Sequence, residues 1–167
     1  MKTIPHSLSA ERLRFLLDYN PSTGIFIRLT TATAWRPAGI TSGCTRKDGN
    51  VILSVDNKKY SAHRLAWLYV YGHWPHEVID HIDGNRQNNA IFNLRDVSQR
   101  TNTENVRKPR PNNKSGFLGV SVTPEGRFLS VITVLRKGVR LGVYDTPEKA
   151  HRVYLDAKRQ LHVGCTI

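Results

Sequence analysis

Apolar residues follow two periods along this chain, and the switches between them set out the elements. Leu13, Leu16 and Leu17 fall at helical spacing behind Ser9 and Glu11, so residues 7–19 are expected to form a short amphipathic helix capped by Ser9. Asn20-Pro21-Ser22-Thr23-Gly24 stops it, and Ile25-Phe26-Ile27 starts a strand. Residues 30–49 lose any period and carry glycines, threonines and the basic pair Arg46-Lys47, which predicts a loop. Val51–Val55 and Lys58–Ser61 flank Asp56-Asn57, a pair suited to positive φ, and read as a β-hairpin. His63, Leu65, Ala66, Leu68 and Tyr69 then mark a helix over Ala62–Tyr71 that stops at Gly72, with Trp67 and Trp74 assigned to the core.

Residues 78–105 are organised differently. Val78-Ile79 delivers Asp80 and His81 into the turn formers Asp83-Gly84-Asn85, residues 92–97 make a returning strand, and Ser98 is placed to cap a helix carrying Asn102 and Asn105. The unit is strand, loop, strand, helix. Alternation would send Asp80 and His81 to opposite faces, so the first strand is expected to end between them and let both line one pocket.

After Asn105 the composition shifts. Residues 106–116 hold Arg107, Lys108, Arg110 and Lys114, two prolines and no acid, and predict an extended basic linker. Beyond it, residues 117–123, 127–135 and 139–144 are three β-rich runs joined by Pro124-Glu125-Gly126 and Arg136-Lys137-Gly138. Thr146-Pro147-Glu148 opens a helix with Ala150, Val153, Tyr154, Ala157 and Leu161 along one face. A three-stranded sheet backed by one helix accounts for this pattern.

Charge narrows the partners. Twenty-five Lys and Arg against 13 acids give a net +12 and a pI near 10.2, which points to a polyanion. Residues 107–167 carry 12 bases and 4 acids, whereas residues 61–106 carry 4 and 5. The cations therefore flank the Asp-His stretch and do not crowd it. No run approaches the roughly 20 apolar residues of a membrane span, and the first residues lack the apolar core of a signal peptide, so a cytoplasmic protein with no membrane partner is expected. Cys44 and Cys165 are too few and too far apart for a Cys₄ zinc site; two free thiols and no structural zinc are expected.

The chemistry of residues 78–105 suits phosphodiester hydrolysis. A neutral imidazole at His81 takes a proton from water near neutral pH, while the Asp80 carboxylate and the Asn102 amide oxygen are hard ligands for Mg²⁺ or a similar ion. A lone Asp-His dipeptide more often marks a surface turn; the ordered set in its strand–loop–strand–helix setting separates this stretch from that background.

With Asp80-His81, Asn93-Leu94-Arg95, Asn102-Thr103-Glu104-Asn105 and the upstream His63-Arg64-Leu65-Ala66-Trp67, the chain resembles the HNH (ββα-metal) homing endonucleases of phages and group I introns. The resemblance implies His81 as general base, Asn93 as the residue pinning the loop across the two strands, and Asp80 with Asn102 as ligands of one Mg²⁺ or Mn²⁺. Asn105, three residues on, is the alternative to Asn102. It also implies a phage-encoded enzyme acting in a bacterial host. His63 recurs in that family and is expected to be structural.

The C-terminal runs Ser115-Gly116-Phe117-Leu118-Gly119-Val120, Gly126-Arg127-Phe128 and Leu141-Gly142-Val143-Tyr144-Asp145-Thr146-Pro147-Glu148-Lys149-Ala150, with Tyr154 and Ala157, resemble the DNA-binding domain of plant ethylene-response (Apetala-like) factors. That likeness implies duplex reading by the exposed sheet face. Phe128 and Val153 depart from the residues usual in those factors, so base preferences do not carry over.

The expected protein is α+β. An HNH nuclease domain spans 1–106, a basic linker 107–116, and an Apetala-like DNA-binding domain 117–167. It cuts duplex DNA as a monomer on an asymmetric site. Its DNA contacts are Arg107, Lys108, Arg110 and Lys114 in the linker and Arg127, Arg136, Lys137 and Arg140 in the sheet module, with Arg127 and Arg140 as base readers. The rival reading is a non-catalytic DNA-binding protein such as a repressor; an RNA-binding module would need an aromatic stacking face that 8% aromatics scarcely provide.

Overall fold

A computed structural model of the chain describes residues 8–31, 37–39 and 41–167. It divides into two compact units, Met1–Ser98 and Gln99–Ile167, both mixtures of short strands and helices, so the architecture is α+β.

The first unit begins with α1 (Ala10–Leu16), capped by the Ser9 side chain, which accepts from the Arg12 amide at 3.2 Å. The helix is shorter than expected. Leu17 turns extended and starts β1 (Leu17–Asn20), because Leu17 and Tyr19 bury as an alternating strand pair against β2 (Ile25–Arg28). β3 (Thr41–Ser42) adds to the β2 edge, and β4 (Cys44–Thr45) pairs with β5 (Val51–Val55), so the predicted loop 30–49 contains two short strands. β5 and β6 (Lys58–Ser61) form the expected hairpin, with Asp56 and Asn57 at φ 46 and 61. α2 (Ala62–Tyr71) ends as predicted at Gly72, whose amide donates to Leu68 O.

α1, β1, β2, β5 and α2 enclose one core in which Leu13, Leu17, Phe26, Leu53, Leu65 and Leu68 are almost fully buried. Trp67 and Trp74 are partly buried against it. Tyr19 packs against Phe26 with centroids 4.6 Å apart and planes tilted at 33°, and its hydroxyl donates to Asn89 O at 2.7 Å. That bond ties the core to the Asp-His loop.

β7 (Val78–His81) pairs antiparallel with β8 (Leu94–Val97), with Asp80 opposite Arg95 and His81 opposite Leu94. Residues 91–93 are a 3₁₀ turn, not the start of the strand, since Asn93 is drawn inward to bond the loop.

The second unit opens with α3 (Gln99–Glu104), which stops one residue before Asn105. Residues 106–119 have no regular structure, and β9 (Val120–Val122), β10 (Phe128–Val134) and β11 (Lys137–Tyr144) form an antiparallel sheet in the order β11-β10-β9. The turn predicted at 136–138 is tighter and starts one residue earlier: Leu135 and Arg136 take φ 52 and 66, and Lys137 and Gly138 join β11. α4 (Pro147–Leu161) starts with Thr146 as cap and Pro147 in the first turn, and packs on β10 and β11. Its face runs through Ala150, Tyr154 and Lys158; Leu161 is exposed, because the last turn directs Lys158 inward in its place.

The compositional boundary after residue 106 and the physical division after Ser98 differ, since α3 and the basic segment pack with the C-terminal residues. Among the described residues no helix is long and apolar enough to cross a membrane, and Cys44 and Cys165 are free thiols.

Candidate active site

The Asp-His pair lies on a strand that continues through both residues. The expected strand end between them does not occur, because His81 retains its antiparallel partner Leu94. Pleating therefore turns Asp80 and His81 to opposite sides of β7. Both are buried, at 5% and 6% exposure.

Each side chain has a dedicated partner. Asp80 Oδ2 accepts from Arg95 Nε at 2.9 Å and Nη2 at 2.7 Å, a fork made possible by their direct cross-strand register. His81 Nε2 lies 3.2 Å from Asn89 Oδ1. Asn89 Nδ2 donates to Gln87 O at 3.1 Å, and since a carbonyl only accepts, this bond fixes the amide so that Oδ1 faces the imidazole. Nε2 is then the protonated nitrogen, and Nδ1 carries the lone pair.

Asn89 is itself held from behind. It is 2% exposed, Tyr19 bonds its carbonyl, and Gly24 lies so close that a Cβ there would meet Asn89 C at 2.3 Å. Gly24 also has φ +74, so no other residue fits that position without strain.

The loop between β7 and β8 is pinned by Asn93. Its Oδ1 accepts from the Asp83 amide at 3.0 Å, and its Nδ2 donates to Asp83 Oδ1 at 2.9 Å and Asn88 O at 2.8 Å. Asn88 Nδ2 adds a bond to Asp83 Oδ2 at 2.8 Å. Burial raises the Asp83 pKa, but the bonds from Asn88, the Asn85 amide and Asn93 outweigh it and hold the carboxyl below its ordinary value. Asn93 contributes through this loop geometry.

His63 packs edge-on to His81, with ring centroids 5.2 Å apart and planes at 84°. Its Nδ1 is buried and has no hydrogen-bond partner among the described residues. Burial, then the His81 ring, Arg64 and Arg86, push the His63 pKa down to about 3. Burial also lowers His81, opposed by the Asn89 bond and the charges of Asp83 and Asp80. Both rings are neutral near pH 7, the form a proton acceptor requires.

Asn102 and Asn105 belong to the second unit. Asn102, on α3, is half-buried. Asn105 is 4% exposed, and its Oδ1 accepts from Thr166 Oγ1.

Of the basic residues, Lys108, Arg110, Lys114, Arg136, Lys137 and Arg140 are exposed. Arg107 is half-buried and donates to Thr166 O at 3.0 Å. Arg127 lies before β10 and pairs with Asp145 at 2.9 Å. Lys137 and Arg140 both lie in β11; Lys137 is its first residue, and Arg140 stands opposite Val131, on the face away from the buried Ile132.

Sequence reasoning missed Asn89 and the Arg95–Asp80 fork. Asn89 stood in a polar run that reads as loop, and no period marks a polar residue for burial. For Arg95, the register of the two strands would have been the signal.

Residues 60–104 match the HNH endonuclease family model. The HNH match covers the end of β6, α2, the Asp-His loop with its two strands and α3, and supports a DNA nuclease; HNH nucleases generally use a divalent metal ion. No curated protein matches the chain. One solved structure, titled "DNA binding and cleavage by the HNH homing endonuclease I-HmuI", is 28% identical over 53% of this chain, with a TM-score of 0.41. The chain spans about half the length of that protein.

Proposed function

We propose that the protein is a DNA endonuclease that hydrolyses phosphodiester bonds in duplex DNA, with His81 as general base. The carrying observation is the Asn89 bond to His81 Nε2, which makes Nδ1 the basic nitrogen at the end of β7, beside the loop pinned by Asn93. In this mechanism Nδ1 removes a proton from water, the water oxygen attacks phosphorus, and the P–O3′ bond breaks with its electron pair on O3′, which takes a proton from solvent, leaving 5′-phosphate and 3′-hydroxyl ends. Asp80 and Asn102 would hold the cation. The donor set fits one: a carboxylate and an amide oxygen suit a Mg²⁺-type ion that keeps waters and binds substrate phosphate, and among the described residues no cluster of three His, Cys, Asp or Glu forms a complete cage. When bound, the ion supplies charge stabilisation to the phosphate and the leaving oxygen. Arg95 would orient the Asp80 carboxylate from its other side.

The basic segment and the sheet module supply the DNA affinity in this reading. Arg140 reads bases, Arg127 does so after exchanging Asp145 for DNA, and Lys108, Arg110, Lys114, Arg136 and Lys137 neutralise phosphates, whereas Arg107 is engaged by Thr166 and is not counted among them. Residues 1–106 act as the nuclease domain, 107–116 as the basic segment and 117–167 as an Apetala-like reader, in a monomer working in the cytoplasm. One copy of the motif favours one nick per bound monomer.

The Arg95 fork on Asp80 favours a second reading, a DNA-binding protein in which the carboxylate has only a structural role. Incubating supercoiled plasmid carrying host or phage DNA with Mg²⁺, Mn²⁺ or EDTA separates the two. Metal-dependent nicking that His81→Ala abolishes supports the nuclease; binding without nicking under every metal supports the alternative.

A further inference from the structure

A six-residue helix cannot hold itself together in water, since nucleation costs more than so few hydrogen bonds return. α3 is that short, and its companions lie more than 50 residues downstream. Glu104, at its end, is 8% exposed; its Oε2 accepts from the Gly164 amide at 3.1 Å, while Oε1 pairs with Arg100 at 2.9 Å. Asn105 accepts from Thr166 Oγ1, and Arg107 Nη2 donates to Thr166 O at 3.0 Å and to its Oγ1. Lys158 Nζ, almost wholly buried on α4, donates to Val106 O. Gly164 packs so tightly on the helix that a Cβ would meet Thr101 O at 2.1 Å.

We propose that Gly164 and Thr166 form a latch that holds α3 in place, making them positioning residues for Asn102. The latch itself is independent of the proposed function; its consequence for metal use rests on that reading. The contacts are of kinds not easily replaced. Three cationic or anionic side chains, Lys158, Arg107 and Glu104, meet backbone or side-chain partners in or near the interior, where a lost partner leaves a buried polar group unsatisfied. The sheet-and-helix module is then part of the nuclease's own scaffold as well as a DNA-binding element. A fragment ending at residue 106 would lack Lys158, Gly164 and Thr166 and would not keep α3 folded.

The test uses the full chain with Thr166→Val, Gly164→Ala and the control Thr166→Ser. Amide hydrogen exchange is followed on α3 and on β9–β11, DNA affinity is measured in EDTA, and nicking is titrated with Mn²⁺. We expect both disruptive variants to exchange α3 amides about tenfold faster or more, the scale of one or two lost hydrogen bonds. The sheet should keep its protection, DNA affinity should hold within about twofold, and the Mn²⁺ concentration for half-maximal nicking should rise severalfold. Thr166→Ser should behave as the parent. Unchanged α3 exchange in both variants overturns the latch, as does equal loss of protection in the sheet. Faster α3 exchange with an unchanged Mn²⁺ requirement overturns the positioning of Asn102. A parent protein that never nicks defeats the functional reading alone, and the exchange data still decide the latch.

Discussion

Asn89 and His81 form a pair in which a buried amide selects the imidazole tautomer. With Asn89 Nδ2 committed to Gln87 O, Oδ1 can only accept, and His81 Nε2 must donate. We expect ¹⁵N NMR of the His81 ring to report a protonated Nε2 in the parent and a shift of population to the Nδ1–H form in Asn89→Ala. Asn89→Asp keeps an acceptor and should retain the Nε2–H form. If Asn89→Ala leaves the tautomer unchanged, Asn89 merely fills space.

His81→Ala removes the proposed base and leaves Asp80 and Asn102 untouched. Duplex binding should persist while single-turnover cleavage falls about 10²-fold or more, the usual scale for losing a general base. Cleavage at the parental rate would remove His81 from that role.

Arg95→Ala leaves the Asp80 carboxylate buried without its guanidinium, a loss that typically costs about 3 kcal/mol or more. Urea unfolding should show it as a lower midpoint at unchanged slope. Asp80→Asn in the Arg95→Ala background should recover part of the loss, because it removes the stranded charge. A double variant no more stable than Arg95→Ala alone would mean the cost arises elsewhere.

His63 makes stability depend on pH. Its pKa is about 3 in the folded chain and near 6.5 when unfolded, so below pH 6.5 the unfolded state binds the proton more readily. The stability from its neutral burial is complete above pH 6.5 and is lost as pH falls toward 3, at up to about 1.4 kcal/mol per pH unit. His63→Phe keeps a ring against His81 and removes the titration. Its unfolding free energy should fall less between pH 7 and 4.5 than the parent's; matching slopes would show that His63 is not held neutral. His81, also lowered, is common to both proteins and cancels in the difference.

Arg140 and Lys137 should separate base reading from phosphate contact. Arg140→Ala is expected to cost about 1 to 3 kcal/mol on the preferred duplex only, whereas Lys137→Ala should weaken all duplexes alike and reduce the salt slope by about 1. Competition binding to specific and scrambled duplexes at several salt concentrations measures both. An Arg140→Ala loss equal on both duplexes would make it a phosphate contact.

Local pattern was enough for much of this protein. The Asp56-Asn57 hairpin, α2 with its Gly72 stop, the entry of α4 at Thr146-Pro147 and the three-stranded module follow from periods, caps and turn residues, which act over a few positions. So did the order Asp80-His81, Asn93, Asn102, because their types and spacing are visible in one dimension. Tertiary structure decided what those residues touch. Leu17 left the predicted helix because burial against β2 outweighed helical spacing, and Lys158 replaced Leu161 on the buried face of α4 because the Val106 carbonyl was there to receive it. The Arg95 fork depended on strand register, the His81 tautomer on an amide eight residues away held by Tyr19 and Gly24, and the end of α3 on a glycine 60 residues downstream of Glu104. Such partners meet only when the chain closes on itself, because hydrogen bonding requires proximity and sequence spacing does not encode it.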